Sequence, residues 1–211
     1  MAQVIQASEL TLHDVKEKFN LQRVEDEQFF PEWQNDLPQA TDAEKQWLDR
    51  VKANFLYLAE YPMHEEIVKM VVLSPLLSLA NFYSYPFRPV AEKPVEIVFE
   101  DEAETLRGRI DVLVLHQTLW ITVIEAKRKQ LNVLEGIPQA LFYMMNRPTI
   151  REPLFGFITN GSEFVYLKLM QQDSPRYGLS RLFSLINPGN DLYTVLGVLK
   201  RLGEVVNSTK R

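Results

Sequence analysis

The chain of 211 residues carries a net charge of −5 at pH 7, which argues against binding nucleic acid chiefly through bulk positive charge. Its hydrophobic fraction of 46% excludes a wholly disordered protein, and its lack of cysteine excludes a disulfide scaffold, thiolate zinc sites and a cysteine nucleophile. No apolar run reaches the length of a membrane span and no signal peptide is recognisable, so we expect a soluble, cytoplasmic protein without membrane contact.

The first 40 residues mix charges with isolated aromatic residues and two prolines, and we interpret residues 1–40 as a peripheral N-terminal arm. Residues 41–211 are predicted to form a single domain, because this length is typical of one hydrophobic core. The core of that domain spans about residues 60–170, and a C-terminal helix covers about residues 192–206.

Two helices are predicted at the start of the domain. Thr41 and Glu44 have the spacing of a capping box that begins the first helix. The second helix covers about residues 64–79, and Pro75 inside it indicates either a kink or two short helices. Its apolar positions, expected to face a sheet, are Ile67, Met70, Val71, Leu73 and Leu77. The three tryptophans, interpreted as packing residues, are Trp33, Trp47 and Trp120.

From residue 94 the hydrophobic pattern changes to the alternation that is typical of strands. Strands are predicted at about 94–100, 106–115 and 119–127, and the three residues between the last two indicate an antiparallel hairpin. The elements that follow are a helix at 133–146, two strands at 153–159 and 163–169 around Asn160-Gly161, a looser segment at 174–190, and the C-terminal helix. This order predicts an α/β fold with a mixed central sheet flanked by helices.

Three charged residues interrupt the apolar hairpin strands, where a charge is costly unless something pairs it. Glu125 and Lys127 share a strand face and lie about 6.6 Å apart along the strand. If residues 116–118 form the hairpin loop, Asp111 lies opposite Val123 and therefore joins the same face. The hairpin thus gathers two carboxylates and an ammonium group.

Two carboxylates are the oxygen ligands that Mg²⁺ prefers, and the backbone carbonyl of Ala126 is a further candidate ligand. The ion would polarise a phosphoryl oxygen and activate a bound water, while Lys127 would orient that water. Phosphodiester hydrolysis is the reaction that suits this arrangement. The alternative is a solvated face with a cross-strand ion pair, but the apolar neighbours Ile121 and Val123 favour a covered face.

Asp111, followed after thirteen residues by Glu125-Ala126-Lys127, resembles the PD-(D/E)xK nuclease superfamily, with Ile110 in place of the usual proline. The downstream stretch from Gln139 to Tyr143 is similar to the Q-x-x-x-Y element that many of these nucleases carry.

Two more stretches narrow the resemblance. Residues 74–77, which follow Glu65-Glu66, and residues 155–161 are similar to the N-terminal nuclease domain of type I restriction enzyme R subunits and their stand-alone relatives. The similarity covers roughly residues 60–170. It implies a restriction-endonuclease-like αβββαβ core, dependence on Mg²⁺ or Mn²⁺, and DNA as the usual substrate.

The resemblance also implies roles for single residues. Asp111 and Glu125 would be metal ligands, Lys127 the catalytic lysine, and one glutamate of the first core helix, Glu65 or Glu66, would complete the metal site. Gln139 and Tyr143 would contact DNA or support the site.

Four basic residues flank the acidic positions, namely Arg107, Arg109, Arg128 and Lys129. They are interpreted as contacts to DNA phosphates, because an acidic protein needs a local basic strip, or alternatively as solvated strand ends. The aromatic residues Tyr83, Tyr85 and Phe87 are either a base-stacking surface or, as we expect, a loop whose rings pack on the core.

The leading functional hypothesis is a metal-dependent endonuclease, a hydrolase of the restriction or DNA-processing kind. The alternatives are a catalytically inactive nuclease-fold protein that binds DNA or scaffolds a larger defence or recombination system, and a nuclease for RNA or branched DNA. No P-loop motif is present, so the chain is not a complete restriction motor subunit. Expected partners are DNA and either a second copy of the chain or a larger restriction complex.

Overall fold

The computed structural model describes residues 3–6, 9–90, 93–99, 104–110, 112–116, 119–123, 133–146, 152–172 and 174–208. Side chains are described in residues 9–64, 66–90, 133–146, 152–172 and 174–208.

A mixed sheet forms the centre of the protein. Its five main strands, in spatial order, are β9 (Arg176–Leu179), β8 (Glu163–Met170), β7 (Leu154–Thr159), β6 (Leu119–Val123) and β5 (Val112–His116). Strands β6 and β7 are parallel, whereas the other neighbours in this set are antiparallel. Two short strands, β2 (Gln22–Arg23) and β10 (Phe183–Ser184), pair with β9 and β8. The predicted mixed α/β fold is therefore confirmed.

A smaller sheet consists of β1 (Gln3–Gln6), β4 (Glu104–Ile110) and β3 (Lys93–Phe99). Strand β4 runs parallel to β1 and antiparallel to β3. The predicted strand over residues 106–115 falls within β4 and β5, which pair in the small sheet and in the central sheet, and residue 111 between them lies outside the described residues.

Helices cover both faces of the central sheet. They are α1 (Leu12–Phe19), α2 (Asp42–Leu58), α3 (Glu65–Val68), α4 (Ser74–Leu79), α5 (Ile137–Met145) and α6 (Leu192–Ser208). Buried side chains of α2, α3, α4 and α6 pack with Phe155, Phe157 and Tyr166 on one face. Those of α1 and α5 pack with Ile158 and Val165 on the other face. The predicted helices at 133–146 and 192–206 are confirmed.

The capping box at the start of α2 is present as predicted. The Thr41 hydroxyl accepts a bond from the Glu44 N–H at 3.3 Å, and the Glu44 carboxylate accepts one from the Thr41 N–H at 2.8 Å. The helix buries Leu48, Val51 and Phe55. Trp47, in contrast, is 51% exposed, so its interpretation as a packing residue was wrong.

A π-helical turn over Lys69–Leu73 separates α3 from α4. The Ser74 N–H donates to the Lys69 carbonyl, and this wide turn accommodates Pro75, which has no N–H. The predicted interruption is thus confirmed as two short helices. The wide turn also moves the buried face, because the buried positions Val68, Val72, Leu76 and Ala80 recur every four residues. Met70, predicted to face the sheet, is 68% exposed.

Three features lie outside the predicted elements. Within residues 1–40, helix α1 buries Val15 and packs on α5. Phe30 lies in the core on the other face of the sheet, where its ring stacks on that of Phe155 with 6.0 Å between the centroids. The segment predicted to be loose, 174–190, contains β9 and β10.

Within the described ranges, none of the helices has both the length and the apolar character that crossing a bilayer requires.

Candidate active site

The carboxyl ends of β6 and β7 define the edge where the predicted site belongs. The two strands are parallel, and Val123 pairs with Thr159 at their carboxyl ends. The predicted site residues that continue from β6, or lie next to β5, are outside the described residues: Asp111, Glu125, Ala126, Lys127, Arg128 and Lys129. Arg107 and Arg109 lie in β4, where the structure describes the backbone. Their assignments as site residues therefore stay predictions.

The register of the β5–β6 hairpin can be compared with the predicted one. Val112 pairs with Thr122, Leu113 with Ile121 and Val114 with Trp120, which is the register expected for these positions. Next to the loop the register shifts, because His116, rather than residue 115, pairs with Leu119. Among the described pairs, the irregularity lies at the loop end of the hairpin.

The face of the sheet at this edge follows from alternation. Phe155, Phe157 and Thr159 alternate along β7 and share one face, which is the face covered by α2, α3, α4 and α6. Paired positions of neighbouring strands share a face, so position 123 of β6 belongs to this face as well. The face is covered by helices, as the apolar pattern of the sequence predicted.

The turn that joins β7 to β8 at this edge is held by side-chain bonds to its own backbone. The side-chain Oδ1 of Asn160 accepts bonds from the backbone N–H groups of Ser162 at 3.1 Å and Glu163 at 2.8 Å. The buried Thr159 hydroxyl accepts a bond from the Gly161 N–H at 2.9 Å. The predicted hairpin around Asn160-Gly161 is confirmed, and the structural role of Thr159 was not foreseen.

Gly161 brings the helical layer against this edge. Its φ of +93° is a conformation that favours glycine, and a Cβ atom there would lie 2.7 Å from Val68 Cγ1 and 3.2 Å from Phe55 Cε2. The turn therefore touches α2 and α3 directly. Helix α3 begins at Glu65, whose backbone is described, while the next residue, Glu66, is exposed.

Helix α5 carries Gln139 and Tyr143 on the opposite layer. The Gln139 amide donates to the Tyr143 hydroxyl at 3.2 Å, and Tyr143 is only 2% exposed. A crossover helix between parallel strands begins near the carboxyl end of the first strand, and Gln139 lies in the first turn of α5. The two residues thus interact with each other on α5, and their assignment to the site stays a prediction.

Among the side chains that the structure describes, no group of three or more histidines and carboxylates could hold a metal ion. Of the loop aromatics, Phe87 packs against Phe82 at 4.7 Å between ring centroids, as predicted. Tyr83 and Tyr85 are 52% and 94% exposed, so the packing prediction was wrong for both.

A comparison with known protein families agrees with this architecture. The sequence model described as type I restriction enzyme R protein N terminus matches residues 14–174, more than half of the chain. The chain belongs to this family. The matched segment of the R protein N-terminal family includes helices α2 to α5 and strands β3 to β8, and therefore every element at the candidate edge. No curated protein matches the chain.

Proposed function

We propose that this member of the R protein N-terminal family is a cytoplasmic, metal-dependent endodeoxyribonuclease that hydrolyses DNA phosphodiester bonds within a restriction or DNA-processing complex. The observation that carries the proposal is the register of β5, β6 and β7. One further step in the register of Val112 with Thr122 would bring Asp111 opposite Val123, and Glu125 follows two residues later. Both carboxylates would then belong to the helix-covered face.

The donor set suits Mg²⁺ or Mn²⁺, because Asp111, Glu125 and the Ala126 carbonyl would supply hard oxygen ligands. When bound, the ion would polarise the scissile phosphate and lower the pKa of a coordinated water. Lys127 would share a strand face with Glu125 if the strand continues, and it would then hold that water for attack and offset the negative charge that develops in the transition state.

Of the two helix glutamates, Glu65 is the better candidate for the third carboxylate. Position 65 precedes Val68 by three residues and therefore falls in the same helical row, which continues to the buried Val72. Val68 is the residue that Gly161 contacts at the sheet edge. Glu66 is exposed, which is consistent with a position on the outer side of the helix.

The remaining candidates have supporting roles in the proposal. The basic residues, which would contact DNA phosphates on either side of the scissile bond, are Arg107, Arg109, Arg128 and Lys129. The burial of Tyr143 and its bond to Gln139 favour a role in fixing the Gln139 amide rather than direct DNA contact.

Cleavage of linear and supercoiled DNA in Mg²⁺ or Mn²⁺ tests the proposal. Asp111→Asn and Lys127→Met should each reduce the rate by about 10²–10³-fold, the usual cost of losing one group that stabilises the transition state. The matched pair Glu65→Gln and Glu66→Gln should separate, with loss of activity in the first only. Undiminished cleavage by the Asp111 and Lys127 variants would refute the site assignment.

Metal binding gives a second test that does not depend on cleavage. Mn²⁺ at about 100 times its dissociation constant should stabilise the wild type by about 2.7 kcal/mol, and calorimetric titration should show the same site. Asp111→Asn should abolish this stabilisation. If the wild type does not bind Mn²⁺, the catalytically inactive alternative, a DNA-binding or scaffold protein of nuclease fold, replaces the nuclease.

A further inference from the structure

Helix α2 and the turn that follows it present a row of exposed side chains. Its members, three or four residues apart, are Trp47, Arg50, Asn54, Tyr57 and Tyr61, and we call them the α2 row. The exposed fractions of its aromatic residues are 51% for Trp47, 63% for Tyr57 and 57% for Tyr61. The spacing places the row on one side of the helix.

Two other sides of α2 make contacts within the fold. Leu48, Val51 and Phe55 lie in the core. On the flank opposite the α2 row, the Asp49 carboxylate accepts bonds from the Asn190 amide at 3.0 Å and the Tyr193 hydroxyl at 2.5 Å. These two bonds lower the pKa of Asp49 below its usual value, as expected for a carboxylate fixed by donors. The α2 row lies on a flank of the helix that packing leaves open.

The side chains of the row interact with one another rather than with the core. The Tyr57 and Tyr61 rings meet edge to face, with 5.9 Å between their centroids and an interplanar angle of 65°. The Arg50 guanidinium lies 5.9 Å from the centroid of the Trp47 ring. Aromatic rings and a guanidinium that are held by each other, and not covered, form a platform on which flat groups can stack.

The row ends beside the candidate site. Tyr61 precedes Glu65 by four residues in the turn between α2 and α3. In the same helix, Phe55 Cε2 lies 3.2 Å from the place that a Cβ atom of residue 161 would occupy, at the carboxyl edge of β7. A DNA strand that continues from a site at this edge along α2 would meet the tyrosine pair.

We propose that the α2 row is a stacking platform for unpaired bases of a DNA strand that enters the active site, an inference that rests on the proposed function. Base stacking on aromatic rings tolerates any sequence and does not require net positive charge. It therefore supplies affinity that a chain with a net charge of −5 lacks. From Trp47 to Tyr57 the helix extends about 15 Å, which is long enough for several nucleotides.

Fluorescence anisotropy with labelled oligothymidylate, in EDTA so that no cleavage occurs, tests the inference. Tyr57→Ala and Tyr61→Ala should each weaken binding by about tenfold, whereas the Tyr→Phe variants at both positions should bind like the wild type because they keep the ring. Leu56→Ala is the matched control, since Leu56 is 43% exposed on α2 but outside the row, and it should change nothing. A duplex of the same length should bind more weakly and should not respond to the tyrosine variants.

Tryptophan fluorescence reports stacking directly. Oligothymidylate should quench the emission of the wild type, and Trp47→Phe should bind with similar affinity while losing most of that quench. Arg50→Ala should reduce the slope of log affinity against log salt by about 0.7, the value for one phosphate contact of a single strand.

The outcomes separate this inference from the proposed function. Tyrosine-dependent binding of single strands without any cleavage in Mn²⁺ would uphold the platform and refute the nuclease. Cleavage by a protein whose single-strand binding ignores Tyr57 and Tyr61 would uphold the nuclease and refute the platform. Failure of the wild type to bind oligothymidylate would also overturn the platform and make the α2 row a surface for a protein partner.

Discussion

Replacement of Gly161 by alanine tests the contact that holds α3 against the sheet edge. The φ of +93° is unfavourable for a residue with a Cβ atom, at a cost of about 1–2 kcal/mol. The new Cβ would lie 2.7 Å from Val68 Cγ1 and 3.0 Å from Val68 Cγ2. Val68 is buried and β-branched, so it has little freedom to move, and the overlap adds about 1–3 kcal/mol. We expect Gly161→Ala to lower the unfolding free energy by about 2–4 kcal/mol.

Urea unfolding and thermal melting measure this change, and Gly189→Ala is the matched control. Gly189 also has a positive φ, +78°, but a Cβ there would meet nothing within 4 Å. The control should therefore show backbone strain without overlap, about 1 kcal/mol. For a protein of this size, the expected difference between the two variants corresponds to several degrees in melting temperature.

Equal destabilisation by the two glycine variants would refute the reasoning, because it would leave strain as the whole effect. A double-mutant cycle provides an independent check. Val68→Ala removes both overlapping methyl groups, so Gly161→Ala should cost about 1–2 kcal/mol less in that background than in the wild type. A coupling near zero would mean that the turn does not press on α3.

Three further changes test the packing around this site. Burial opposes the ionisation of Glu44, but bonds from Lys200 and Thr41 outweigh it and lower the pKa of this carboxyl below its usual value. The stabilisation that these bonds provide is therefore complete above the pKa of the unfolded chain, and it is lost as the pH falls through the folded pKa. Glu44→Gln should therefore cost about 1–2 kcal/mol in urea unfolding at pH 7 and much less at pH 3; an equal cost at both would contradict this. Tyr166→Phe should cost about 1 kcal/mol in the same assay, because the buried hydroxyl donates to the Val195 carbonyl at 2.7 Å, and no change would show that this bond contributes nothing. Lys168 Nζ lies 2.6 Å from the Glu32 carboxylate, whose side chain is only 15% exposed. Lys168→Met should lower the unfolding free energy by about 3 kcal/mol, because it leaves this carboxylate without its cation. Adding Glu32→Gln should restore part of that loss.

Local signals in the sequence predicted most elements of the central domain. The capping box of Thr41 and Glu44, the Asn160-Gly161 turn and the apolar periods each depend on residues close in the chain, so they can be recognised without the fold. The register of the β5–β6 hairpin could also be predicted, because a short loop restricts how two strands can pair. The structure confirms that register from Val112 to Val114.

Other features depended on contacts between distant residues. The π-helical turn moved the buried face so that Met70 became exposed, which a regular helical period does not predict. Trp47 became exposed because the core accepted Leu48, Val51 and Phe55 instead. Strand β9 is short and contains glycine, so its strand character appears only through pairing with β8.

The candidate site shows the same division. The sequence by itself determined the chemistry available, namely the carboxylates of Asp111 and Glu125 and the ammonium of Lys127, because residue types and a hairpin pattern are local properties. Only the tertiary structure decided that β6 and β7 end at one edge and that α3 lies against that edge. These features arise from a parallel pairing across a crossover helix and from the close contact of Gly161 with Val68, both of which join residues far apart in the chain.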